Sequence, residues 1–270
     1  MQRRQFLTAS LATSALALTG DTLATAQSSP SPQTASKREY YQIRRYSLMS
    51  GPQSKVTESF FAGALIPALS RMGMGPVGAF RLEIGQETPQ FYLLIPGSSP
   101  DALATLDLQL AKDDDFLKAA EPYWKATAAS PAFQRIESSL LIAFEGWPKI
   151  TPPAESATKA RRIFQLRTYE SPSNFEHIRK VEMFHSGEFD YFQRSGCHPV
   201  FFGDTLIGSR TPSLTYMLSF PDQAALDAGW AKFRSDPDWK KLSADQHYAF
   251  DTIVSNISNL VLSPLSCSQI

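Results

Sequence analysis

The chain has 270 residues, 43% hydrophobic and 19% charged, with 26 basic and 26 acidic side chains and a formal net charge of zero. That length buries one large core or two moderate ones, and the even charge balance lacks the basic excess expected of a nucleic-acid binder. Four His and two Cys are a thin supply of metal ligands and reactive thiols, so no metal and no tightly held cofactor is expected.

The N-terminus opens with Arg3-Arg4, then Phe6-Leu7, a mildly apolar Ala/Leu/Thr run and Ala24-Thr25-Ala26. That order predicts an export signal over residues 1–26, and the R-R-x-F-L arrangement resembles the twin-arginine type. The run is interrupted at Gly20-Asp21, too early to span a bilayer stably, and no Cys stands near the junction to take a lipid. Cleavage after Ala26 would leave the mature chain free of the membrane, in the periplasm or outside the cell. Residues 27–38, rich in Ser, Pro, Gln and Thr, read as a disordered linker. Cys197 and Cys267 would meet an oxidising compartment, but sequence distance does not show whether they approach; two unpaired, mostly buried thiols are expected.

From residue 40 onward the chain repeats itself. A shift of 123 positions aligns residues 40–118 with 163–241 without a gap, matching Gln42 with Gln165, Arg44 with Arg167, Tyr46 with Tyr169, Arg71 with Arg194, Gly73 with Gly196 and Asp113 with Asp236. So long a register predicts two copies of one domain, over 39–150 and 162–270, joined by a linker at 151–161. In each copy a period-two strand, 40–48 in the first, precedes a helix from about 54 to 72 that stops at Gly73. The second-copy helix starts with Ser173 and Glu176 at capping-box spacing. Two strands follow, "PVGAFRLEI" and "QFYLLIP", then a helix opened by Pro100, a short further helix and a last strand, "SLLIAF".

The order βαββαβ is that of a ferredoxin-like unit, an α+β fold with helices on one face of an antiparallel sheet. The bare sheet face must be buried, and a second copy supplies the cover, so the two units are predicted to form a pseudo-dimeric α+β barrel. Alternation in the first strand sets Tyr41 and Ile43 opposite Gln42, Arg44 and Tyr46. The apolar set is expected against the helices, and the Gln/Arg/Tyr set across from Gln165, Arg167 and Tyr169 of the other copy.

These strands, with "GMGPVGAFRLEIG", "GCHPVFFGDTLIG" and the helix start "FRSDPDWKKL", resemble the NIPSNAP family over essentially the whole mature chain, as two tandem domains. The first copy departs from the D-P-x-W start with Asp113-Asp114-Asp115-Phe116. The resemblance implies kinship with the dimeric α+β barrel group, which includes cofactor-free monooxygenases, haem-degrading enzymes and stress-response proteins. It brings no catalytic motif to carry over.

Arg44 and Arg167 are the first candidates for a ligand site, because an enclosed guanidinium needs an acid, a ligand or water; a carboxylate or phosphate suits its fork. Salt bridges that fasten the halves are the competing reading. Tyr46, Tyr169, Gln42 and Gln165 share their faces and join them as candidate ligand-binding residues. Glu182, His185 and Glu188 stack on one helix, where the first copy has Ser59, Ala62 and Leu65; a solvated stripe is the simpler reading, with His185 a speculative acid-base residue. His198 beside Cys197 reads as a loop residue, and Arg81 and Asp204 hold equivalent places with opposite charge. Phosphate-binding glycine loops, nucleophile elbows, zinc-protease and haem-attachment motifs are absent. The expected function is binding of a small, partly apolar organic ligand, with oxidation or isomerisation of it as the reaction if the protein is an enzyme; the alternative is a non-catalytic interaction or scaffold protein of the cell envelope. A fused pair would serve as a monomeric pseudo-dimer or associate as a homodimer.

Overall fold

A computed structural model describes residues 37–49 and 51–270; the export signal and nearly all of the 27–38 linker lie outside them. The first half runs β1 (Tyr40–Ser47), a helix Pro52–Phe60 that passes through a π-helical turn Phe61–Leu65 into Ile66–Arg71, β2 (Gly78–Ile84), β3 (Gln90–Gly97), four short helices between Pro100 and Trp124, and β4 (Arg135–Ala143). The second half repeats the order: β5 (Ile163–Glu170), helix Asn174–Met183, π-helical turn Phe184–Glu188, helix Phe189–Arg194, β6 (His198–Ile207), β7 (Ser213–Phe220), helices Gln223–Ser235 and Pro237–Ser243, and β8 (Asn256–Pro264). Between them the linker forms a helical turn, Glu155–Thr158.

Residues that recur at the 123-residue shift hold equivalent corners. Gly73 and Gly196 end their helices at φ 72° and 80°, a left-handed conformation that favours glycine. Asp113 and Asp236 cap the helices that follow them, accepting from the amides of Phe116 and Trp239, and each also pairs at 2.5 Å with the arginine that ends the helix before its half's second strand, Arg71 or Arg194. Ser173 caps its helix as its spacing predicts, accepting from the Glu176 amide at 3.2 Å.

The eight strands close into an antiparallel barrel in the order β1-β3-β2-β8-β5-β7-β6-β4. Each half contributes a ferredoxin-like sheet, β4-β1-β3-β2 or β8-β5-β7-β6, and the sheets join edge to edge through β2 with β8 and β4 with β6. Closure leaves no unpaired strand edge. The C-terminal tail adds a tie between halves, with Leu265 and Gln269 donating to the carbonyls of Ala79 and Val77 at 2.9 Å and Ile270 buried in the lumen.

Both faces of each sheet are therefore covered. Inside the barrel, Tyr41, Phe80, Phe164, Leu166 and Phe201 form an apolar plug, with edge-to-face pairs Tyr41–Phe201 at 5.2 Å and Phe80–Phe164 at 4.9 Å. This reverses the expected orientation of the first strand: Tyr41 and Ile43 face the other half, and Gln42, Arg44 and Tyr46 lie beneath the helices. The reason is that a strand buried on both sides has no solvated face, so polar and apolar alternation does not say which side is the helix side. The other end of the lumen is a polar cavity of about 840 Å³, lined by Ser, Thr and Asn side chains together with Arg45, Glu137, Glu170 and Arg210.

The plug is the contact that both halves share most intimately. Phe164→Ala is expected to destabilise the protein by about 3–5 kcal/mol, read as a lower denaturation midpoint in a single cooperative transition; separate unfolding of two halves would contradict a shared core.

Candidate functional site

The two repeated arginines lie in different surroundings. In the first half Arg44, buried, donates through Nε to Gln42 Oε1 at 2.8 Å and through its terminal nitrogen to Asp107 at 2.9 Å. Its Nε and one terminal nitrogen are thus both partnered within the first half. In the second half, position 230, the place of Asp107 at the 123-residue shift, is tryptophan. Trp230 donates from its indole nitrogen to Gln165 Oε1 at 2.6 Å, taking up the acceptor that Gln42 gives to Arg44. Arg167 is left with one hydrogen bond, to the Tyr169 hydroxyl at 2.9 Å, while its buried Nε has no partner. Its guanidinium lies over the Trp230 ring, 4.3 Å from the centroid.

Beside Arg167 is a cavity of about 520 Å³ between sheet and helices, walled by the aromatic rings of Trp230, Phe233, Trp239 and Phe250 and by Gln165 and Tyr169. The first half has Asp107, Leu110 and Phe116 at the places of Trp230, Phe233 and Trp239, and there Phe60, Phe116 and Tyr123 pack together, with Phe60 and Tyr123 stacked at 4.0 Å. Of the repeated candidates, Gln165, Arg167 and Tyr169 thus come to one cavity. Gln42, Arg44 and Tyr46 do not: Gln42 binds the Leu103 carbonyl at 3.3 Å and Tyr46 is edge-on to Phe61 at 5.0 Å in the core.

A second charged pair reaches the cavity wall. Lys180 and Glu188, each about 2% exposed, are joined at 3.1 Å. Glu188 is not on a solvated stripe, because the π-helical turn widens the helix and rotates it inward. Gly187 permits a kink inside this turn: its φ is 125°, and a Cβ there would come within 2.6 Å of the Tyr191 hydroxyl. Burial raises the Glu188 carboxyl above its usual range, and Lys180 and Arg167 only partly offset that. Burial also opposes the charge on Arg167, but the nearby hydroxyls of Tyr216 and Tyr169 and the Glu188 carboxylate outweigh it. With Lys180 balanced by Glu188 and the rim residues Asp227 and Arg234 opposite in sign, the cavity carries one net positive charge, on Arg167.

The other sequence candidates are used elsewhere. His185 lies away from the cavity: its Nδ1 meets the Val181 carbonyl at 2.9 Å and its Nε2 accepts from the Gly146 amide at 3.1 Å. Glu182 binds His247 and Tyr248 on the surface. Arg81 and Asp204 do not meet; they pair with Glu58 at 3.6 Å and His177 at 2.7 Å. Cys197 is buried with its thiol pushed up to about 12 by desolvation, and Cys267 is half-buried; both are free. Among the described residues no group of His, Cys, Asp and Glu is placed to hold a metal, and no helix is long and apolar enough to cross a membrane. In the polar lumen cavity the charges are paired, Arg45 with Glu137 and Arg210 with Glu170, which leaves that space without an unmet charge.

Comparison with known proteins falls on the same half. Residues 164–269 match the NIPSNAP family. The NIPSNAP match thus runs from β5 to the C-terminal tail and includes every second-half residue of the cavity. Over the whole barrel the chain is similar to a candidate monooxygenase from Lactobacillus acidophilus, at 12% identity over 85% of this chain and 95% of that one, with a TM-score of 0.57. A second candidate monooxygenase, from Fusobacterium nucleatum, is 9% identical over 86% of this chain and 94% of that one, with a TM-score of 0.52. A NIPSNAP-like domain protein from Burkholderia xenovorans is 15% identical over 39% of this chain and 87% of its own, with a TM-score of 0.35. At these identities the likeness is of fold alone. No curated protein sequence matches the chain.

Breaking the buried pair by Lys180→Met is expected to cost about 3–5 kcal/mol, whereas Lys180→Thr with Glu188→Leu, the residues of the first half, recovers most of that loss. The pH dependence has a defined sign. A carboxyl raised in the folded state contributes stability below its unfolded pKa that is lost as pH rises through the folded one. Denaturation across pH should therefore show the parent protein losing stability relative to Glu188→Gln as pH climbs above about 4.5.

Proposed function

We propose that the protein is an exported, tandem NIPSNAP-like barrel that binds a small, partly apolar organic anion in the sheet–helix cavity of its second half. The observation that carries this is Arg167: a cavity-lining guanidinium with a single internal hydrogen bond, held against aromatic rings where its first-half counterpart has an acid. A ligand carboxylate pairs with the terminal guanidinium nitrogens of Arg167 at the cavity wall, and an aryl or other flat apolar group fills the space between Trp230, Phe233 and Trp239. The first half, with Arg44 closed by Asp107, has the structural role. One half fastens and the other binds. Export rests on Arg3-Arg4 and the A-x-A at residues 24–26, which lie outside the described residues.

The test uses 3-phenylpropionate, an aromatic carboxylate without a reactive carbonyl, followed by quenching of tryptophan fluorescence. Charge-assisted hydrogen bonds of this kind contribute about 1.5–3 kcal/mol, so Arg167→Ala should weaken binding roughly ten- to a hundredfold. Arg44→Ala should leave the affinity within about twofold while lowering the denaturation midpoint. Equal losses from both substitutions, or no saturable binding, would contradict the assignment.

A further inference from the structure

The Lys180–Glu188 pair is not needed to build a ferredoxin-like half. The first half makes the corresponding helix and π-helical turn, without the Gly187 kink, around Thr57 and Leu65. A buried ion pair is weak evidence for stability, since desolvating two charges offsets most of their attraction. Here it stands at the wall of the cavity that holds Arg167, with the carboxylate brought inward by the turn at Gly187. Two charges absent from the equivalent half, buried together beside a cavity, are better explained by chemistry on what the cavity holds.

We propose that Glu188 is a general base that moves a proton on the carbon skeleton of a bound aromatic 2-oxo acid, making the cavity the site of a cofactor-independent keto–enol isomerisation. The proposal rests on the anion-binding reading above. Arg167 holds the ligand carboxylate, and Trp230, Phe233 and Trp239 hold the aryl group. Glu188 takes a proton from the carbon beside the ketone; the C–H electron pair becomes the new C=C bond, and the carbonyl π pair moves onto oxygen as an enolate. The Lys180 ammonium, a neighbour of Glu188, offsets the developing negative charge. Glu188 then returns the proton to that oxygen, giving the enol, or to carbon in reverse. Atoms and electrons balance within ligand and carboxyl, and no oxidant or metal enters. Desolvation of Glu188 strengthens it as a base, because a carboxylate in an apolar wall holds a proton more tightly than one in water.

The experiment follows loss of the methylene proton signal of phenylpyruvate in D2O by NMR, with full-length protein, against the rate in buffer. The expected result is exchange well above the buffer rate. Lys180→Thr with Glu188→Leu removes both charges; it should stay folded, with a denaturation midpoint near the parent's, and exchange at the buffer rate. Glu188→Asp keeps the pair but withdraws the carboxylate, and should lower exchange about a hundredfold in a folded protein. Exchange at the buffer rate by a parent protein that binds both acids would overturn the proposal and leave the binding site standing, as would undiminished exchange in the variants. A parent protein that binds neither acid would overturn both.

Discussion

The central strands of each sheet, β1 and β3 in one half and β5 and β7 in the other, are covered on two sides, once by their own helices and once by the other half. That single constraint shapes the rest. It explains why the chain repeats, since one ferredoxin-like sheet would leave a face bare. It also explains why the repeated strand carries a Gln-x-Arg-x-Tyr set that never meets solvent fully. Once Arg44 and Arg167 are committed to the helix side, each needs an acceptor from a helix, because an enclosed guanidinium without one is costly.

The two halves meet that need differently, and the difference centres on one position. Asp107 closes the first half; Trp230 opens the second, and in doing so binds Gln165 and strips Arg167 of its second internal partner. Larger changes follow in the same region. Thr57 and Leu65 become Lys180 and Glu188, and the packed rings of Phe60, Phe116 and Tyr123 give way to a cavity edged by Trp239 and Phe250. The two halves thus differ in kind: the first is closed around Arg44, and the second keeps a cavity beside Arg167.

Much of this was legible in the sequence, and what was not has physical causes. The repeat, the βαββαβ order, the glycine helix ends and the Ser173 cap are local signals, and they correspond to elements found in the structure. The orientation of β1 was not legible, since alternation distinguishes faces only when one of them is wet, and Tyr41 is as apolar as Tyr46 is. Glu188 escaped because a π-helical turn breaks the 3.6-residue period on which the solvated-stripe reading depended. Trp230 was visible in principle: the 123-residue shift sets it against Asp107, and asking which partner each arginine would find across that alignment points to it without coordinates.

On the proposed reading, tryptophan in place of an acid at position 230 is what leaves Arg167 available to an anion. This is tested most directly by calorimetric titration of 3-phenylpropionate into Trp230→Asp and Trp230→Leu. Both substitutions remove the ring, but only aspartate restores an internal partner of the kind Arg44 has. Trp230→Leu should keep measurable affinity while Trp230→Asp falls at least about tenfold below it. Equal affinities in the two variants, with both folded, would contradict it.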